Sequence, residues 1–194
     1  MVQAYLRVNG FFTVSEYPIL ERRSEGHYRE ATDIDVVAVR MADAGLVLPA
    51  PLQVGGEPVA VDPLLGVLPG VREMILAEVK AGTASVNPAL ARRGVMFQAM
   101  RRFGCCSHDE LASAVDKLRR SGEVRLADES RIRVFAFGSR EGEGSVPATY
   151  VGMSDVIAFL RAYIQQHRRI RGSADFRDPV MGTLALALRA DSDS

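Results

Sequence analysis

Two stretches decide the fold: Ala31-Thr32-Asp33-Ile34-Asp35-Val36-Val37-Ala38-Val39-Arg40 and Met74-Ile75-Leu76-Ala77-Glu78-Val79-Lys80. Each is an apolar, branched run of the kind that forms a buried strand, yet each carries embedded charge. Side chains two apart on a strand share a face, so Glu78 and Lys80 point the same way, as do Asp33 and Asp35. If the two strands are neighbours, carboxylates and one ammonium converge. Such carboxylates repel unless they are protonated or bridged by a cation, and hard oxygen donors favour Mg²⁺ or Mn²⁺ over zinc. With Lys80 beside it, such an ion could orient a water and stabilise charge on a phosphoryl oxygen, the requirements for cutting a phosphodiester. Taken singly, each residue also fits a plain role at a strand end, with Lys80 merely pairing with Glu78.

The order of an aspartate strand, a strand ending Glu-x-Lys and then a helix resembles the PD-(D/E)xK nuclease superfamily, the restriction-endonuclease-like fold shared with Holliday-junction resolvases. The resemblance covers roughly residues 1–104. It implies that Asp35 and Glu78 hold the metal, that the main-chain carbonyl of Val79 adds an oxygen ligand, and that Lys80 positions or activates water. Gln98, in Gln-Ala-Met-Arg-Arg-Phe, resembles the glutamine that several branches place beside the site. Many members carry a further acidic ligand on the first helix. Val2 to Asn9 has none, so Glu16 or Glu21 would have to substitute. That gap favours the rival expectation, a catalytically inactive nuclease-fold protein that binds nucleic acid or regulates.

The rest of the chain is read around this pair. Val2, Tyr5 and Leu6 share a helical face, and Asn9-Gly10 stops that helix. Phe11 to Leu20 has strand density, with Pro18 demanding an edge strand or a break. Residues 42–70 hold five of the nine prolines and five glycines, so a long excursion is expected there, with a hairpin near Gly55-Gly56. Asn87-Pro88 predicts a helix start, and Val95, Met96, Ala99, Met100 and Phe103 its buried stripe. Ser107 with Glu110 forms a capping-box pattern, Ile132–Phe137 alternates as a strand, and Ser154-Asp155 opens the last long helix. A short helix from about 179 to 189 follows, and the tail 191–194 is expected to be disordered.

The expected architecture is α/β: a restriction-endonuclease-like mixed sheet flanked by helices over 1–104, with a mainly helical part, 105–190, packed on it. Lysine plus arginine equals aspartate plus glutamate at 24 each, so net charge does not announce nucleic acid. Local patches must serve instead, and Arg101, Arg102, Arg168 and Arg169 are the candidates for phosphate contact, although solvated arginine faces are commoner. Cys105 and Cys106 are adjacent, a poor geometry for a disulfide, and are expected reduced. The absence of a secretory pattern or long apolar run leads to an expectation of a cytoplasmic protein away from membranes. The nuclease resemblance implies nucleic acid, DNA first, as partner. A two-fold dimer would suit duplex cleavage by one site per chain.

Overall fold

The structure is a computed structural model, and it describes residues 1–22, 26–45, 61–166 and 178–190. Helix α1 (Val2–Val8) leads into strands β1 (Phe11–Arg22), β2 (Tyr28–Arg40) and β3 (Glu73–Val79), which pair antiparallel in that order. After a short β4 (Thr83–Ala84) come α2 (Arg93–Phe103), α3 (His108–Ser121) and β5 (Glu123–Arg125). β6 (Arg131–Gly138) lies parallel to β3, and the far side of β6 is shared by β5, antiparallel, and β8 (Thr149–Gly152), parallel. β7 (Arg140–Glu141) pairs with β4 in a small second sheet, and α4 (Met153–Gln166) and α5 (Pro179–Ala190) complete the described chain. The fold is therefore α/β around a mixed six-stranded sheet.

β3 and β6 are buried on both faces, which is why each reads as a nearly unbroken apolar run. One face packs on α2 and α3 through Met74, Leu76, Ile132 and Val134. The other packs on α1 and α4 through Ile75, Ala77, Phe135 and Phe137. β6 belongs to the 105–190 stretch and sits inside the sheet, so the two halves of the chain share one sheet rather than merely touching. Its Arg133 interrupts the apolar alternation because Glu73, fully buried on β3, binds Arg131 at 2.7 Å and also pairs with Arg133.

Two local readings need correction. The helix expected from Asn87 begins only at Arg93: Asn87 Oδ1 accepts from Ala89 N at 2.9 Å and its Nδ2 donates to Thr32 Oγ1 at 3.0 Å. The Asn-Pro pair thus makes a turn pinned to β2, and Arg92 stays extended before the helix starts. The capping box is half formed, since Ser107 Oγ accepts from Glu110 N while the Glu110 carboxylate accepts from Ala127 N. Pro18 is tolerated because β1 is an edge strand. The hairpin near Gly55-Gly56 and the tail 191–194 lie outside the described residues.

Candidate active site

The β1–β2 ribbon changes faces at one point. Phe11 packs toward α1, whereas Tyr17 and Ile19, of the same parity, pack toward α2. On β2, Val36 and Ala38 face α1 and Ile34 faces α2. The switch falls at Glu16, whose φ of 50° is left-handed, and at Asp35, its partner by register between the pairs Ser15–Val36 and Tyr17–Ile34. Holding a non-glycine residue there costs free energy that the surrounding ribbon must offset.

Consequently β2 parts from β3. Their ladder ends at Val36–Ala77, and at the next step the Asp35 side chain replaces a backbone acceptor: Val79 N donates to Asp35 Oδ2 at 2.6 Å. Glu78 stands opposite Asp35 in the continued register. Two residues beyond Leu76, it lies on the α2–α3 face. Lys80 Nζ is 2.8 Å from Glu78 Oε2 and 3.4 Å from Asp35 Oδ2. The three residues singled out by sequence therefore meet in the fork between two strands.

Burial governs the electrostatics. Glu78 is 1% exposed, and burial raises its pKa above the ordinary glutamate value; the hydrogen bond and charge of Lys80 oppose the rise, while Asp35 and Asp33 add to it. Partial burial works against the charge on Lys80, but the Glu78 hydrogen bond and charge, helped by Asp35, outweigh it and leave the Lys80 pKa raised. Lys80 is thus held as an ammonium.

The donor set can be tested against a divalent ion. Among the described residues, Glu78 Oε1 is buried without a hydrogen-bond partner, and both contacts of the Asp35 carboxylate fall on Oδ2. Two carboxylate oxygens are left for a hard cation, a fit for Mg²⁺ or Mn²⁺ in kind. In number the set is small: no group of three His, Cys, Asp or Glu able to hold an ion occurs among the described residues. Remaining ligands would have to be a main-chain oxygen such as that of Val79, waters, or substrate oxygens, as is usual for Mg²⁺.

The other sequence candidates are spread out. Glu16 is exposed, across the ribbon from Asp35. Glu21 is farther along β1 and is engaged by Arg29 at 3.3 Å and Arg92 at 3.6 Å. Gln98 is exposed on α2, and among the described residues no hydrogen bond joins it to Asp35, Glu78 or Lys80. Arg101 is exposed on the same helix, and Arg102 lies over the Tyr17 ring, 5.4 Å from its centroid. Arg168 and Arg169 lie outside the described residues. Cys105 and Cys106 are free thiols, and burial pushes the Cys105 thiol up to about 12, so it is a poor nucleophile or ligand. No described helix is long and apolar enough to cross a membrane.

Sequence reasoning missed the Glu73–Arg131–Arg133 cluster and the face switch at Glu16. A carboxylate opening an apolar strand was the only available signal for the first; the second had none, because glutamate gives no hint of a left-handed backbone. Comparison of the chain with protein-family models, with curated proteins and with solved structures finds no match.

Proposed function

We propose that this protein is a metal-dependent hydrolase of nucleic-acid phosphodiesters, most readily of DNA, with a restriction-endonuclease-like fold. The observation that carries the reading is the convergence of Asp35, Glu78 and Lys80 at the point where β2 leaves β3, with Glu78 Oε1 buried and unpartnered among the described residues. A buried oxygen without a partner is costly, and a cation beside it removes the cost. Support for the fold comes from the order α1, three antiparallel strands, α2, and then, beyond α3 and β5, β6 parallel to β3.

In this reading Asp35, Glu78 and the Val79 carbonyl hold Mg²⁺ or Mn²⁺. The ion would supply charge neutralisation at the phosphoryl oxygens and a more acidic water. Lys80, kept protonated by the two carboxylates, donates to a phosphoryl oxygen and orients the attacking water. It does not begin as a general base, because its partners raise its pKa. Asp35 is fixed by the Val79 amide, so its free oxygen is presented to the ion without a large loss of side-chain freedom. Gln98 and Arg101 are exposed on α2, and in this reading substrate orientation away from the metal would fall to them. DNA is the proposed partner, engaged by a two-fold dimer where both strands are cut.

The experiment is incubation with supercoiled, linear and branched DNA in Mn²⁺, alongside Asp35→Ala and Lys80→Ala. Cutting by the wild type that both variants lose supports the reading. Equal cutting by all three, or none by the wild type, removes it. The scarcity of acidic ligands favours one alternative, a nucleic-acid-binding or regulatory protein on the same scaffold; a salt-dependent gel shift without cutting would select it.

A further inference from the structure

A cavity of about 440 Å³ opens beside the fork, between β6, β8 and the small β4–β7 sheet. Its walls include Ala84, Ala136, Glu141, Glu143, Ala148 and Tyr150. Its position follows from the register. Ala136 pairs with Glu78 across β3–β6, and Tyr150 pairs with Ala136 across β6–β8, so Glu78, Ala136 and Tyr150 form one cross-strand row. Adjacent strands lie about 4.8 Å apart, which puts Tyr150 roughly 10 Å from Glu78, two strand spacings along the row. The middle position is alanine, which leaves the floor of the cavity low. Gly138 lets the β4 backbone close over β6: a Cβ there would sit 2.7 Å from the Gly82 oxygen.

The chemistry of the walls selects the occupant. Among the described residues no lysine or arginine lines the cavity, and the charged residues that do are Glu141 and Glu143, so the local charge disfavours a phosphate. The Tyr150 ring offers a flat stacking surface, held at its far end by the hydroxyl donating to the Gly138 carbonyl at 3.3 Å. Apolar small residues, one aromatic plane and carboxylate acceptors suit an uncharged heterocycle bearing N–H groups. The volume falls in the range of small-molecule sites, about 300–1,000 Å³.

We propose that this cavity receives one unpaired nucleobase, of the nucleotide attached to the phosphate held at Lys80, with preference for bases that carry an exocyclic amine. The inference rests on the hydrolase reading above, and it narrows the substrate to single-stranded or locally opened nucleic acid. In a stacked duplex the base is not available to the cavity, and the neighbouring phosphates would meet the carboxylates of Glu141 and Glu143. The ring of Tyr150 stacks on the base and the two glutamates accept from its amine.

The test is fluorescence anisotropy of the full chain, in Ca²⁺, with short labelled oligodeoxycytidylate, the same oligomer bearing abasic sites, oligodeoxythymidylate and a duplex of equal length. The base-bearing single strand should bind best, with the abasic strand weaker by about tenfold, the scale of losing one stacked base. Ala148→Phe, which fills the cavity, should lose the same factor on the single strand and none on the duplex, while Tyr150→Phe keeps it. The proposal is overturned if abasic and base-bearing strands bind equally or not at all. It is equally overturned if Ala148→Phe binds as the wild type does. The abasic comparison leaves the protein untouched, so it stands even where a variant fails to fold. Cutting of plasmid without base-dependent binding refutes the cavity proposal alone; base-dependent binding without cutting refutes hydrolysis alone.

Discussion

Asp35 and Glu78 face each other where β2 leaves β3, and one ammonium, Lys80 Nζ, serves both, at 3.4 Å and 2.8 Å. The pair is unequal. Glu78 is buried and Asp35 is partly open, so removing the shared cation strands a buried charge on one side only. Lys80→Ala should therefore cost stability as well as activity. Breaking a fully buried pair costs about 3–5 kcal/mol. Lys80 is itself partly exposed and water can replace it, so about 1–3 kcal/mol is expected, read by urea denaturation at neutral pH.

The Glu78 carboxyl gives the fold a pH dependence of defined sign. Its pKa is raised in the folded state, so above the ordinary value of 4.5 the native chain holds that proton more firmly than the unfolded chain does. The Glu78 contribution to stability therefore falls as pH rises from 4.5 through the folded value, and Mg²⁺ should offset that loss. Glu78→Gln removes the titration. Denaturation of both proteins across that range should show a steeper decline for the wild type than for the variant, and addition of Mg²⁺ should stabilise only the wild type.

At the opposite end of β3, Glu73 accepts from Arg131, Arg133 and the Leu68 amide. Glu73→Ala leaves Arg133 buried without a counter-charge, and a loss of about 3–5 kcal/mol is expected. Circular dichroism during denaturation measures it. A change within about 0.5 kcal/mol would show that the cluster contributes nothing to stability.

The left-handed backbone at Glu16 predicts a gain. Glu16→Gly adopts that conformation without a Cβ penalty, and stabilisation of about 0.5–1 kcal/mol is expected, less the entropy that glycine loses in a strand. A destabilised Glu16→Gly would mean that the side chain itself holds the ribbon there.

Much of this arrangement was legible in the sequence because it follows from short-range periodicity. The apolar runs at 31–40 and 74–80 announced buried strands, and the acids embedded in them pointed to the residues that converge, Asp35 and Glu78, with Lys80 between them. Tertiary pairing was harder. That Ile132–Phe137 would lie inside the sheet, parallel to β3, depends on contacts more than fifty residues distant, and Arg133 in that run pointed away from burial until Glu73 was found beside it. Asn87-Pro88 misled because a cap sequence stabilises any turn that exposes backbone amides, and Thr32 recruited it for one. The placement of Gln98 was also beyond sequence, since spacing fixes a helical face but not its distance from a strand.

The central claim is that Asp35 and Glu78 jointly grip one divalent ion, and calorimetric titration of Mn²⁺ into the wild type, Asp35→Ala and Glu78→Gln measures that grip without reference to any substrate. Binding of one ion per wild-type chain, weakened at least about tenfold in each variant, is the expected result. Equal Mn²⁺ affinity in all three proteins, or no binding by the wild type, would contradict the account.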